Sequence, residues 1–195
     1  NKWISLETGT LIILGLSSLL WFGNFKAAPS NPEAPSIVNA PEMGLHEAVV
    51  RGDLNIIQQH IDANSDLNIA EPTGGSSPLI SAATFGQTDA AQKLIEAGAD
   101  VNFQNKEGST PLITAAFFCQ EEIVHMLLEN GADPNLKNLA GSTALNAVSS
   151  DFSEVKGIYE YFAKTYEPMG MKLDLVEIER IRPVIADILR VHSKD

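Results

Sequence analysis

Residues 77–102 read SPLISAATFGQTDAAQKLIEAGADVN, and residues 110–135 read TPLITAAFFCQEEIVHMLLENGADPN. The two blocks share a hydroxyl residue before a proline, a Leu-Ile pair, a double alanine, a second apolar run and a Gly-Ala-Asp-x-Asn ending. Ser77-Pro78 and Thr110-Pro111 put an N-cap hydroxyl ahead of a proline at the first helical position, which predicts where one short helix starts. Leu79, Ala82 and Ala83 give that helix a small-residue face suited to close stacking, and Ala91, Leu94 and Ile95 give a second helix with apolar spacing of three to four. Gly98 and Gly131 fall where a helix ends in a left-handed residue, and the Asp and Asn that follow supply turn chemistry. Each unit has one apolar stripe, so it must stack on a neighbour to bury it.

The pattern extends in both directions. Gly44–Asn68 reads GLHEAVVRGDLNIIQQHIDANSDLN, and Thr143–Phe162 reads TALNAVSSDFSEVKGIYEYF. Aligned on Leu45, Leu79, Leu112 and Leu145, the spacings are 34, 33 and 33 residues, a period that signals stacked repeats. With its TPL, double-alanine and GADVN elements, the chain resembles the ankyrin repeat. The resemblance covers about Pro41 to Phe162 and implies an all-α solenoid of helix-turn-helix repeats joined by hairpin loops. The repeats are expected at about 42–75, 76–108, 109–141 and 142–165.

Departures from the pattern carry their own expectations. Asn64-Ser65 replaces Gly-Ala, and Gln59-His60 stands where leucines are usual, so the first repeat reads as a polar cap. Cys119 stands where the other repeats have Gly52 and Gly86, which predicts a slightly strained turn. The loop Ile69–Ser76 is one residue longer than its counterpart. Val155, Ile158, Tyr159 and Phe162 keep helical spacing for the second helix of the fourth repeat, but the GADVN ending is gone. Residues 166–195 are expected to form a helical C-terminal cap of one or two helices, with Pro183 starting a new helix or kinking the run.

The N-terminal part is of a different kind. Thr8–Phe25 is eighteen residues without a charge, with Trp3 ahead of it and Trp21 near its end. In a helix those two rings would stand roughly 27 Å apart, near the thickness of a hydrocarbon core. Residues 1–26 are therefore expected to be one transmembrane helix, the alternative being a cleaved signal segment. Against cleavage, Glu7 precedes the apolar run, and Ala27 and Ala28 lack a small partner at the −3 position of a cleavage site, which Phe25 or Lys26 would fill. A short tail bearing Lys2 favours that tail in the cytoplasm and the repeats on the extracytoplasmic, periplasmic side. Secretion after cleavage and a cytoplasmic placement are the alternatives. Residues 27–41, AAPSNPEAPSIVNAP, hold four prolines and read as an extended linker.

Charge narrows the partners. Lys2, Lys26, Glu7 and Glu33 are the only charged residues before Pro41, so the body carries the whole net charge of −12. Such a surface repels phosphate backbones, which argues against nucleic acid. No catalytic constellation is legible. His46 sits where the family resemblance implies a local brace for the loop. His60 and His125 lack partners at metal-ligand spacing, and Cys119 has no defined base. Thr73–Ser77 is glycine-rich without the lysine of a phosphate loop, and the adjacent Glu121 and Glu122 point to different sides of a helix. Neither cofactor, metal nor small-molecule substrate is expected, and the chain is not expected to be an enzyme.

The resemblance points to protein recognition. It implies that the two residues after each double alanine face a concave groove, here Val50 and Arg51, Thr84 and Phe85, and Phe117 and Phe118. Three phenylalanines there would form an exposed apolar patch of the kind interfaces use. The finger tips Glu71–Gly75, Asn105–Glu107 and Asn138–Ala140, with Lys106 and Glu107 among them, would form the rim. The expected role is a membrane-tethered, non-catalytic module that binds another protein, which could itself be an integral membrane protein. Two alternatives are an accessory subunit of a membrane complex, using the small residues Gly9 and Ser17 of the N-terminal helix, and an exported protective or inhibitory protein.

Overall fold

The computed structural model of the chain describes residues 39–193, and the expected transmembrane helix at 1–26 and nearly all of the 27–41 linker lie outside them. Among the described residues all regular structure is helical. No helix among them is long and apolar enough to cross a membrane.

Three helix pairs follow the repeat: α1 (Leu45–Arg51) with α2 (Leu54–Asp62), α3 (Pro78–Phe85) with α4 (Thr88–Glu96), and α5 (Pro111–Phe117) with α6 (Glu121–Glu129). The starts are chemical. The Ser77 and Thr110 hydroxyls accept from the amides of Ile80 and Ile113, with Pro78 and Pro111 in the first turn. The first helices stack in series, α1 on α3 and α3 on α5, and the second helices form a parallel series, α2 on α4 on α6. Leu79, Ala82, Ala83, Ala115 and Ala116 are fully or almost fully buried between them, because alanine pairs let neighbouring backbones approach closely. Asparagine side chains link successive turns: Asn68 Oδ1 accepts from the Asp100 amide and Asn102 Oδ1 from the Asp133 amide, each at 2.8 Å.

The turn between the paired helices explains one glycine and one cysteine. Gly86 has φ 66°, and a Cβ there would stand 2.8 Å from the Gln120 side chain of the next repeat. Cys119 holds the same left-handed conformation, φ 57°, without being glycine. No fourth-repeat glutamine follows it; its Sγ instead lies 3.8 Å from the Ile178 carbonyl. The strain expected at Cys119 is therefore confined to its backbone. Asn64, in place of glycine, is also left-handed at φ 52°, which asparagine tolerates.

The first repeat is less polar at its outer helix than its sequence suggests. His60 is buried, with Nε2 2.8 Å from the Met43 carbonyl and Nδ1 2.9 Å from the Ser65 hydroxyl. Those bonds satisfy both ring nitrogens, so the imidazole fills a leucine position.

The C-terminal third differs most from expectation. α7 (Ala144–Ser149) takes its place beside α5, started by a capping box between Thr143 and Asn146. The next helix, α8 (Phe152–Tyr166), is not the second helix of that repeat. α9 (Leu175–His192) packs on α7 and α6 and closes the stack with Ile178, Ile181, Ile185 and Leu189. α8 and a 3-10 turn at Glu167–Met169 are inserted between the two partners. α9 also runs unbroken through Pro183: the proline is exposed, as is Glu179, whose carbonyl loses its usual donor.

Candidate protein-binding site

The loops between repeats form three fingers in register. The Lys106 amide donates to the Gly74 carbonyl at 3.0 Å, and the Leu139 amide to the Glu107 carbonyl at 2.9 Å. Inside each finger one side chain organises the turn. Asn105 Oδ1 accepts from the amides of Glu107 and Ser109, and Asn138 Oδ1 from those of Ala140 and Ser142. The first finger is one residue longer and uses the longer Glu71, whose carboxylate accepts from the amides of Thr73, Gly74 and Ser76. Burial alone would raise the Glu71 carboxyl, but these backbone donors outweigh it and hold the group below its usual range.

Lys106 is used within the chain. Its ammonium donates to the carbonyls of Pro72 and Thr73 at 2.6 and 3.0 Å, tying the second finger to the first. Glu107 is exposed, with its backbone committed to the ladder and its carboxylate on the surface. Leu139, within the Asn138–Ala140 tip expected to form part of the rim, is 82% exposed.

His46 bridges the first finger and the second repeat. Nε2–H donates to the Ile69 carbonyl at 2.8 Å, and Nδ1 accepts from the Ser81 hydroxyl at 3.1 Å. Both nitrogens are thereby occupied by structural partners.

The groove residues divide into two groups. At the first repeat Arg51 is exposed and paired with Glu47 at 2.6 Å, with Val50 half-buried beside it. Thr84 turns its hydroxyl back onto the Ile80 carbonyl. The phenylalanines, expected as an exposed patch, are instead covered by α8. Phe117 stacks on Tyr159 at 4.8 Å and meets Phe162 edge-on at 5.6 Å; Phe118 meets Phe162 at 5.4 Å, and Phe85 meets Tyr166 at 5.7 Å. Phe118 is left only 7% exposed. The reason is the spacing of Tyr159, Phe162 and Tyr166, which lines three rings along one side of a helix, matching the row of rings beneath.

Below this contact Arg182 is 2% exposed with no carboxylate in reach among the described residues. Its guanidinium donates to the carbonyls of Ala147 and Ser150, to the Ser150 hydroxyl and to the Tyr159 hydroxyl. The carbonyl end of α7 thus supplies the negative partner. Burial pushes the Cys119 thiol up to about 11 and the Tyr159 hydroxyl up to about 12, despite the opposing charge of Arg182. A thiol held in that state is a poor nucleophile.

Residues 45–138 match the family model for ankyrin repeats, in three copies. No curated protein matches the chain. The stacked pairs with their fingers are therefore ankyrin repeats, which generally mediate protein–protein interaction and are typically not enzymes.

Proposed function

We propose that the chain is a non-catalytic module that holds another protein against its finger tips and the first-repeat end of its concave side, while residues 1–26 tether it to a membrane. The observation that carries the binding role is the finger ladder. Two backbone bonds, Lys106 to Gly74 and Leu139 to Glu107, fix three loops in one row, and its tips project Glu107 and the exposed Leu139. A rigid row of exposed side chains presents a partner with little left to order, which favours binding. Arg51 and Thr84 extend the surface toward the first repeat. Phe85, Phe117 and Phe118 are not part of this open surface.

The tether rests on the uncharged stretch Thr8–Phe25, with Trp3 ahead of it and Trp21 near its end. The repeats lie, in this proposal, on the extracytoplasmic side of that membrane. The partner is a protein exposed on the same side, and an integral membrane protein fits that placement.

The test is site-specific photocrosslinking of the full chain in its native membranes. A crosslinker at Leu139 should capture one discrete protein, and Glu107→Arg should remove that product. A crosslinker at Gln92 on the outer helix α4 should not capture it. Equal capture from both positions would sink the finger-tip reading, and release of the chain by alkaline extraction would sink the tether.

A further inference from the structure

The helix lying on the aromatic groove is surplus to the solenoid. α7 and α9 complete the fourth pair by themselves, and α9 alone joins the outer row at α6. Both ends of the inserted segment are pinned independently of α8. Ser150, before it, is held by two bonds from Arg182, and Met171, after it, is buried. Releasing α8 would cost Arg182 one partner, the Tyr159 hydroxyl, and leave its three contacts with Ala147 and Ser150 in place.

α8 is also weakly built. Its N-cap Asp151 makes no side-chain capping bond, and only Tyr159 along it is fully buried. Gly157 sits in mid-helix with nothing within 4 Å of where a Cβ would stand, so packing does not require a glycine there and its effect is to loosen the helix. Ile158 and Tyr161 remain 46% and 65% exposed on the outer side, so docking leaves part of the helix's apolar surface unsatisfied. A helix whose one fully buried side chain is Tyr159, held between fixed ends, can open locally without the rest of the fold.

We infer that the row Phe85–Phe117–Phe118 is a docking site for an amphipathic helix of a partner protein, and that α8 is its resident occupant, exchanged for the partner's helix. The occupant already present defines the chemistry: aromatic residues at i, i+3 and i+7, matching Tyr159, Phe162 and Tyr166, with a hydroxyl at the first to meet Arg182 and the Phe117 carbonyl. Affinity for such a helix is reduced by the fraction of time the groove is closed, so whatever loosens α8 strengthens binding. This rests on the protein-binding reading for the existence of a partner, but not on the finger tips. Failure of the crosslinking test leaves it intact, and the reverse also holds.

The test uses the full chain and, as probe, a fluorescent peptide of residues 151–167. In the unaltered chain, amides of α8 should exchange with solvent at least tenfold faster than those of α7 and α9. The peptide should bind the double variant Phe162→Ala, Tyr166→Ala, whose own α8 is loosened, at least tenfold more tightly than the unaltered chain. Adding Phe117→Ala should reverse that gain. Exchange in α8 as slow as in α7 and α9 overturns the inference. So does a double variant, still protected in α7 and α9, that binds the peptide no better. Should the double variant not fold, the exchange comparison on the unaltered chain decides alone.

Discussion

Arg182 donates to the Tyr159 hydroxyl at 2.8 Å, and that hydroxyl donates in turn to the Phe117 carbonyl at 2.6 Å. One chain of two bonds thus joins the terminal helix, the helix over the groove and the floor of the groove. Among the described residues Arg182 is buried without a carboxylate, so its charge rests on the carbonyl end of α7 and on this hydroxyl. Tyr159→Phe should therefore lower stability by about 1–3 kcal/mol, the range for a buried polar group left without its partner. Arg182→Met should cost more, because it also strands the carbonyls of Ala147 and Ser150. Denaturant midpoints of the two variants and their double check this. Strictly additive losses would mean that the two side chains are not coupled.

The two inter-helix turns should respond in opposite ways to substitution. Gly86→Ala puts a Cβ at φ 66° against the Gln120 side chain and should destabilise by about 1–2 kcal/mol. Cys119→Gly relieves the same backbone strain while losing a half-buried thiol, so its midpoint should move by less than about 1 kcal/mol. Equal losses from both changes would show that the left-handed turn is not what sets the residue type.

Gly157→Ala should strengthen α8 by roughly 0.5–1 kcal/mol, the helix-interior difference between the two residues. With open space around the added methyl, no clash offsets the gain. Amide exchange in α8 should slow by roughly 2–5-fold, the same energy expressed as an equilibrium ratio. Unchanged exchange would mean that α8 opens only with the whole stack.

Alkali should act through Cys119 and Tyr159. Their folded values of about 11 and about 12 lie above the ordinary 9.0 and 10.0, so the unfolded chain loses these protons first. Their contribution is complete below pH 9 and declines as pH rises toward 11 and 12. At pH 8 the native thiol should react with iodoacetamide about 100-fold more slowly than the unfolded chain's, in proportion to its thiolate fraction. Rapid native labelling would contradict the burial of that turn.

Acid should act on the first finger. The amide shifts of Thr73, Gly74 and Ser76 should titrate together with a midpoint below the ordinary 4.5 of Glu71, since their bonds favour the charged carboxylate. The stabilisation is present above 4.5 and is lost as pH falls through the lowered value. Glu71→Gln should abolish the shared titration, and persistence of the titration in that variant would assign it to another group.

Much of the repeat was readable because its signals are local. The proline after a hydroxyl residue, the double alanine and the left-handed glycine each act within a few residues, so they appear in sequence order. The bracing role of His46 was legible through the family resemblance. Glu71 was not singled out, although the extra residue in its loop is the signal that a longer side chain is needed to reach the same amides. The exposure of the phenylalanines could not be read, because it depends on what lies above them.

By itself the sequence determined that helix pairs would stack with a period of 33 to 34 residues, since a unit with one apolar stripe has no other way to bury it. Only the tertiary structure decided which helix closes that stack. α8 and α9 both carry apolar residues at helical spacing, and either satisfies the pattern. The aliphatic stripe Ile178–Ile181–Ile185–Leu189 packs against α6 and α7, whereas the rings of α8 match the rings of the groove. Shape across a contact between distant segments settled the choice, and that is a property of neither segment alone.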